Sequence, residues 1–182
     1  YYGGHYGSNN DNHYQLFSAS GIDFMVISFE YDQSAGFSAA GGALDWGENL
    51  VQNNPDRKVI VMTHWAINEN SSFSTQGQAI YNRLRTYPNF SLLMGGHVSS
   101  STGGEAQRTD IYNGNRVHSI LTDYQSRPGG GNGLLRIYEF DPSLNKISVK
   151  TYSPYTNTFE TDADSQFELT FNMLPLLGQM NT

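Results

Sequence analysis

Three short runs restrict most tightly what this chain can fold into: "FMVIS" at 24–28, "VIVMT" at 59–63 and "FSLLM" at 90–94. They lack the apolar–polar alternation of a strand with one wet face. Runs of this kind read as strands buried on both sides. Between them lie two amphipathic stretches. In "GGALDWGENLVQNNP", Leu44, Leu50 and Val51 fall on or near one face and Pro55 blocks extension, which predicts a helix over 42–53. In "STQGQAIYNRLRTYP", Ile80, Leu84 and Tyr87 are three to four residues apart and Ser74 suits an N-cap, which predicts a helix over 75–87. Strands at 23–30, 58–63 and 90–95 joined by helices should lie adjacent and parallel in one sheet.

The flanks read differently. Residues 1–13 are rich in Gly, Asn, Tyr and His and read as loop. A strand near 14–18 precedes a turn at Ser20-Gly21. Beyond residue 97, short strands are expected near 106–112, 115–123, 133–140, 145–152 and 165–172. Asn113-Gly114, "RPGGGNG" and "DPSLNK" supply the turns. The expected fold class is α/β (α+β), with two sheets packed face to face and helices outside them. No linker divides residues 1–182, so they read as one domain or a large part of one.

Charge and composition exclude several functions. The net charge of −7 leaves no basic patch for nucleic acid or an anionic membrane. No stretch approaches the ~20 apolar residues of a membrane span. The chain has no cysteine, so any metal must use His, Asp, Glu, Asn or water. Acidity with abundant Gly, Asn, Ser and Tyr leans toward an exported bacterial protein, extracellular or periplasmic. The chain starts "YYGGHYG" without methionine, which implies further residues upstream.

Two of the buried runs end in histidine, as "VIVMTHW" and "LLMGGHV". Ligands collect beyond the carboxyl ends of strands in open α/β sheets. Imidazoles carried there suit a divalent cation such as Zn, Mn or Fe. His64 and His97 are therefore the candidate metal ligands, while a hydrogen-bonded strand-end histidine is the bland alternative for each. The loop "VSSSTGG" after His97 reads as a cleft rim. Ser99, Glu105, Asp123 and Gln125 are possible cleft residues. His5 and His13 read as loop histidines, and His118 as a strand residue that packs or hydrogen-bonds locally. Arg127 and Arg136 suit either a phosphate oxygen or a surface ion pair.

"VIVMTHW", a helix and then "LLMGGHV" resemble the second half of a calcineurin-like metallophosphoesterase. "LFSASGIDFMVISFEYD" is similar to the segment that precedes these motifs, and "DYQSRPGGGNGLLRIYEFDP" to the C-terminal strands of one bacterial subgroup. The resemblance implies a four-layer αββα fold, a two-metal site and hydrolysis of phosphate esters. It makes His64 and His97 ligands of one metal. The family's second Gly-His-x-His histidine falls on Ser99, which puts the other metal in doubt. The earlier motifs (Asp-x-His, Gly-Asp-x-x-Asp, Gly-Asn-His-Asp/Glu) are absent here and should lie upstream. This chain alone is then expected to bind metal weakly or not at all and to lack phosphatase activity. An exposed sheet edge would meet the missing half or pair in a dimer. The rival readings are a non-catalytic exported module, for example one binding carbohydrate, and a degenerate phosphoesterase used as scaffold.

Overall fold

The computed structural model of the chain describes residues 1–173. Its class is mixed α/β, with two sheets and few helices. The first sheet has seven strands in the order β1 (Tyr2–His5), β2 (His13–Ala19), β3 (Ile22–Phe29), β4 (Lys58–Thr63), β5 (Phe90–Gly95), β7 (Asn115–Thr122) and β6 (Glu105–Tyr112). As the strand–helix–strand order requires, β3, β4 and β5 are adjacent and parallel. β7 continues the parallel run beside β5. The crossovers carry α1 (Ala35–Ser38), α2 (Ala43–Asn53) and α3 (Thr75–Leu84). The second sheet is built around β9 (Lys146–Ser153). β8 (Leu135–Asp141) lies along β9, which also pairs β10 (Thr158–Glu160) and β11 (Gln166–Thr170).

The continuous apolar runs are explained by two separate cores. On one face of the first sheet, Met25, Ile27, Val59, Val61 and Leu93 pack against Leu44 and Val51 of α2 and Ile80 and Leu84 of α3. On the other, Phe24, Ile60, Leu92 and Ile120 meet Ile147, Val149 and Leu169 of the second sheet. Apolar residues of the central strands thus leave water on either face, Met62 at the end of β4 excepted.

Three local outcomes differ from expectation. Residues 1–13 are not all loop. Tyr2–His5 form β1, His5 opposes His13, and the Tyr14 ring lies where a Cβ on Gly3 would stand 2.2 Å from it. The glycines that look like loop punctuation therefore make room for a ring. Helix α3 stops at Leu84 rather than Tyr87, because Pro88 disfavours helical backbone at the residue before it; Tyr87 N–H instead closes a turn on the Leu84 carbonyl at 2.9 Å. The three-residue strand β10 is too short to show as a pattern.

His118 fastens the two sheets. It lies on β7, is buried, and its Nε2–H donates to the Thr170 carbonyl beside β11 at 2.8 Å. Its Nδ1 accepts from the Thr109 hydroxyl at 2.8 Å, so the ring is held neutral. Burial lowers its pKa below the ordinary 6.5, against the opposing pull of the Thr170 carbonyl. A lowered histidine pKa contributes stability that is complete above 6.5 and is lost as pH falls through the lowered value. His118→Leu should cost about 1–3 kcal/mol at pH 7 by leaving the Thr170 carbonyl unpaired. Urea melts should also show the difference from the unmodified chain shrinking between pH 7 and pH 5. A constant difference would remove His118 from the acid response.

Candidate metal centre at the carboxyl ends of the parallel strands

The site begins with the register of the central strands. Phe29 of β3 stands opposite Thr63 of β4, and Met62 opposite Met94 of β5. The residues that follow, Glu30-Tyr31, His64-Trp65 and Gly96-His97, therefore emerge side by side. His64 Nε2 and His97 Nδ1 lie 2.8 Å apart, and both rings are exposed. One imidazole donates to the other. Two ring nitrogens thus converge from separate strands, with solvent access.

Local structure explains how the histidines come so close. Gly96 N–H donates to the His64 carbonyl at 3.0 Å, and Val98 N–H to the Gly96 carbonyl at 3.0 Å. The second bond closes a three-residue turn centred on His97, whose φ is 73°. This is the strained, positive-φ form of the γ-turn. A non-glycine residue is held there only where its surroundings impose it. Gly95 allows the approach: a Cβ on it would stand 2.7 Å from Ala66 N and 3.0 Å from the Thr63 carbonyl. The β4 side is fixed by α3. Ser74 caps that helix by accepting from Gly77 N–H at 2.9 Å, and its hydroxyl donates to the Trp65 carbonyl at 2.6 Å. Buried Gln76 joins Thr63 to the Glu30 carbonyl.

Aromatic rings wall the pair. Tyr31 stacks on His97 with centroids 6.2 Å apart and on Trp65 at 6.0 Å, and Trp65 lies 4.8 Å from His97. Trp65 is itself held by Asn68 through its indole N–H at 3.1 Å. Sequence reasoning did not single out Tyr31. The available signal was positional, since it follows the first buried strand as the histidines follow the next two.

The other candidates take different places. The Ser99 hydroxyl donates to the Asp123 carbonyl at 3.0 Å and accepts from Ser126 N–H at 3.0 Å, so it ties the β5–β6 loop to the end of β7. Asp123 lies beside Gly96 and accepts from Gln125 N–H at 3.1 Å. The Gln125 side chain is in solvent.

Glu105 does not offer a free carboxylate. It ion-pairs with Arg127 at 2.8 Å and with Arg136, and it accepts from Tyr124 at 2.7 Å, Thr151 at 3.1 Å and Ser165 at 2.8 Å. Burial pushes its pKa up, but the hydrogen bonds from Tyr124 and Ser165 and the Arg136 charge outweigh that and hold it down to about 2. The same burial, with the Glu105 bond, pushes the Tyr124 phenol up to about 12. Arg127 and Arg136 are thus interior partners of a carboxylate rather than surface ion pairs. Among the described residues, Glu105, Glu160 and Asp162 alone form a group of three acidic or histidine side chains with ligand atoms within 4.8 Å of one another. Arg127 also binds Glu160, and Ser165 donates to Asp162, so these carboxylates are already neutralised or hydrogen-bonded.

A cleft of about 330 Å³ opens beside the histidines, between the two sheets, lined by Met62, Thr63, Met94, Gly95, Thr122 and Arg136 among others. Met62 is 46% exposed there although it continues a buried run. Arg136 is 3% exposed at the side chain, and its Nη1 has no hydrogen-bond partner among the described residues. No helix of the described residues is long and apolar enough to cross a membrane.

No protein-family model matches the chain. It is 29% identical over 192 residues to an uncharacterized Bacillus subtilis (strain 168) protein, YvnB; all of this chain aligns, but it spans only 14% of that relative. In structure it is similar to GAP50, the anchor in the inner membrane complex of Plasmodium, with a TM-score of 0.50 and 12% identity. That likeness covers 90% of this chain and 54% of the other, and it concerns the fold alone.

Proposed function

We propose that this chain is the C-terminal part of a metal-dependent phosphate-ester hydrolase of the calcineurin-like type, and that the rest of its four-layer αββα fold and of its metal site comes from residues outside 1–182. The observation that carries this reading is the convergence of His64 and His97 at the carboxyl ends of adjacent parallel strands, 2.8 Å apart. Neutral imidazoles at that spacing suit Zn, Mn or Fe. When bound, a divalent cation supplies Lewis acidity toward phosphoryl oxygens and water of lowered pKa. The chain's own residues do the rest. His64 and His97 would hold the cation in a fixed position, because their backbones are pinned by strand register and by the turn at His97. Tyr31 and Trp65 shield one side from solvent. Arg136, through the Nη1 that its pairing with Glu105 leaves unpartnered among the described residues, gives the adjacent cleft a hydrogen-bond donor for an anionic ester.

A second reading, a scaffold without catalysis, has its own support. The Ser99 hydroxyl is spent on backbone partners, and among the described residues no third histidine, aspartate or glutamate joins the histidine pair in a ligand group. The similar fold of a protein described as an anchor fits it too. In either case the outer edge of β8, with Leu135 and Ile137 exposed, is the seat for another strand, from the remainder of the protein or from a second copy in a dimer.

Zinc titrated into the 182-residue chain should bind weakly, since two ligands fall short of the about three that catalytic zinc sites use. The binding should move the imidazole resonances of His64 and His97 first. A longer protein that includes the upstream residues should hydrolyse bis(p-nitrophenyl) phosphate and stop when chelated. Binding that leaves both imidazoles unmoved would overturn the metal centre. Shifted imidazoles with no turnover by the longer protein would select the scaffold.

A further inference from the structure

A second cavity lies at the opposite end of the same strands. It has a volume of about 630 Å³ and is lined by Lys58, Ser91, Tyr112, Asn113, Arg116 and Thr170 among others. Lys58 opens β4, Ser91 lies early in β5 and Arg116 early in β7, so the cavity sits across the amino ends of three neighbouring strands. Six-residue strands separate it from the histidines by roughly 20 Å.

Lys58 has no evident structural reason to be there. It is 3% exposed and makes no side-chain hydrogen bond or ion pair among the described residues. Lysine is almost never this buried without a partner. Its four-carbon stem would be replaced at no loss by methionine, so an interior role alone does not account for the charge. Among the described residues Arg116, on the rim, also makes no ion pair, and none of those that line the cavity is an aspartate or glutamate. A wall with two cations and no carboxylate stands out in a chain of 17 acidic and 10 basic residues. The Asn113 amide and the Thr170 hydroxyl add donors at the mouth. The volume is within the range of small-molecule sites.

We propose that this cavity binds a small dianionic group of the phosphate class, held between the Lys58 ammonium and the Arg116 guanidinium. Two fixed positive charges match two negative ones. The ammonium acts as a point charge at the floor and the guanidinium as a fork at the rim. Burial lowers the Lys58 pKa, and an anion beside it reverses that. The site is independent of the histidine pair and does not rest on the hydrolase reading.

The probe is inorganic phosphate, titrated into the 182-residue chain with chelator present and ionic strength matched by chloride. Amide shifts should saturate at residues 58, 91, 113 and 116 and leave residues 31, 64 and 97 unmoved. Lys58→Met should weaken binding at least about tenfold, as loss of a charged partner does. Arg116→Gln, at an exposed position that folding does not depend on, should weaken it several-fold. Without phosphate, Lys58→Met should melt no lower than the unmodified chain, because it removes a buried unpaired charge. Unchanged affinity in Arg116→Gln, shifts confined to the histidine end, or no saturable binding in the millimolar range would each overturn the site. A clear loss of stability in phosphate-free Lys58→Met would do so too, since it would give Lys58 a structural role.

Discussion

Replacing Glu105 by alanine should cost about 3–5 kcal/mol of folding stability, the range for breaking a buried ion pair from one side. The reason is what it leaves behind. Arg136 is 3% exposed at the side chain and loses its ion-pair partner, while Arg127, 11% exposed, is left with Glu160 alone. Tyr124, Thr151 and Ser165 lose an acceptor together. At ~2–4 °C per kcal/mol for a chain of this size, the melting temperature should fall by roughly 6–20 °C. Acid gives an independent check. The Glu105 carboxyl is held down to about 2 against an ordinary 4.5. A depressed carboxylate contributes stability that is present above 4.5 and lost as pH falls through about 2. That interval corresponds to roughly 3 kcal/mol, in line with the mutational figure. The gap between the unmodified chain and Glu105→Ala should therefore close as urea melts are taken from pH 6 toward pH 2. Equal melting temperatures at pH 7 would mean that the arginines find other partners.

The second large effect is functional. In a longer protein with phosphodiesterase activity, His97→Ala should lower kcat/KM at least about a hundredfold, because even the groups that merely orient metal ligands are worth ten- to a hundredfold. His64→Ala should do the same, and the double variant little more, since the two rings act as one unit. Folding should survive, as both rings are exposed. Bound cation, measured on dialysed protein, should fall in parallel with turnover. Activity retained by His97→Ala at full metal content would end the assignment. Ser99→His offers a gain to set beside these losses. It places a second imidazole two residues after His97, provided the backbone partners of the serine hydroxyl accept water instead.

What the sequence made legible was whatever depends on neighbours in the chain. The doubly apolar runs located β4 and β5 to the residue, because strands buried on both faces have no second way to arrange their side chains. Ser74 was readable as a cap, since a cap is a local device. The histidines were readable as a pair because each follows such a run. Glu105 was not. Its five partners come from β7–β8, β8, β9 and the segment before β11, and nothing in "GGEAQ" announces that two arginines will close on it. Lys58 was hidden in the same way. It looks like the polar start of a strand, and only the packing of the second sheet over that end shows that its charge is shut in. The strand β1 was missed because glycines admit a ring from the partner strand as readily as they admit a turn.

The two sheets are also made from separate lengths of chain: residues 2–122 supply every strand of the first, and residues 135–170 every strand of the second. Within each, most neighbours in space are neighbours in sequence, so few long loops need closing before pairing begins. During synthesis the first sheet is complete as a hydrogen-bonded unit while the second is still being made. One apolar face of that sheet, with Phe24, Ile60, Leu92 and Ile120, then waits uncovered for β9 and β11. The interval between these events is where the nascent chain is most exposed to self-association, and its length is set by translation of the last quarter of the sequence rather than by any step within either sheet.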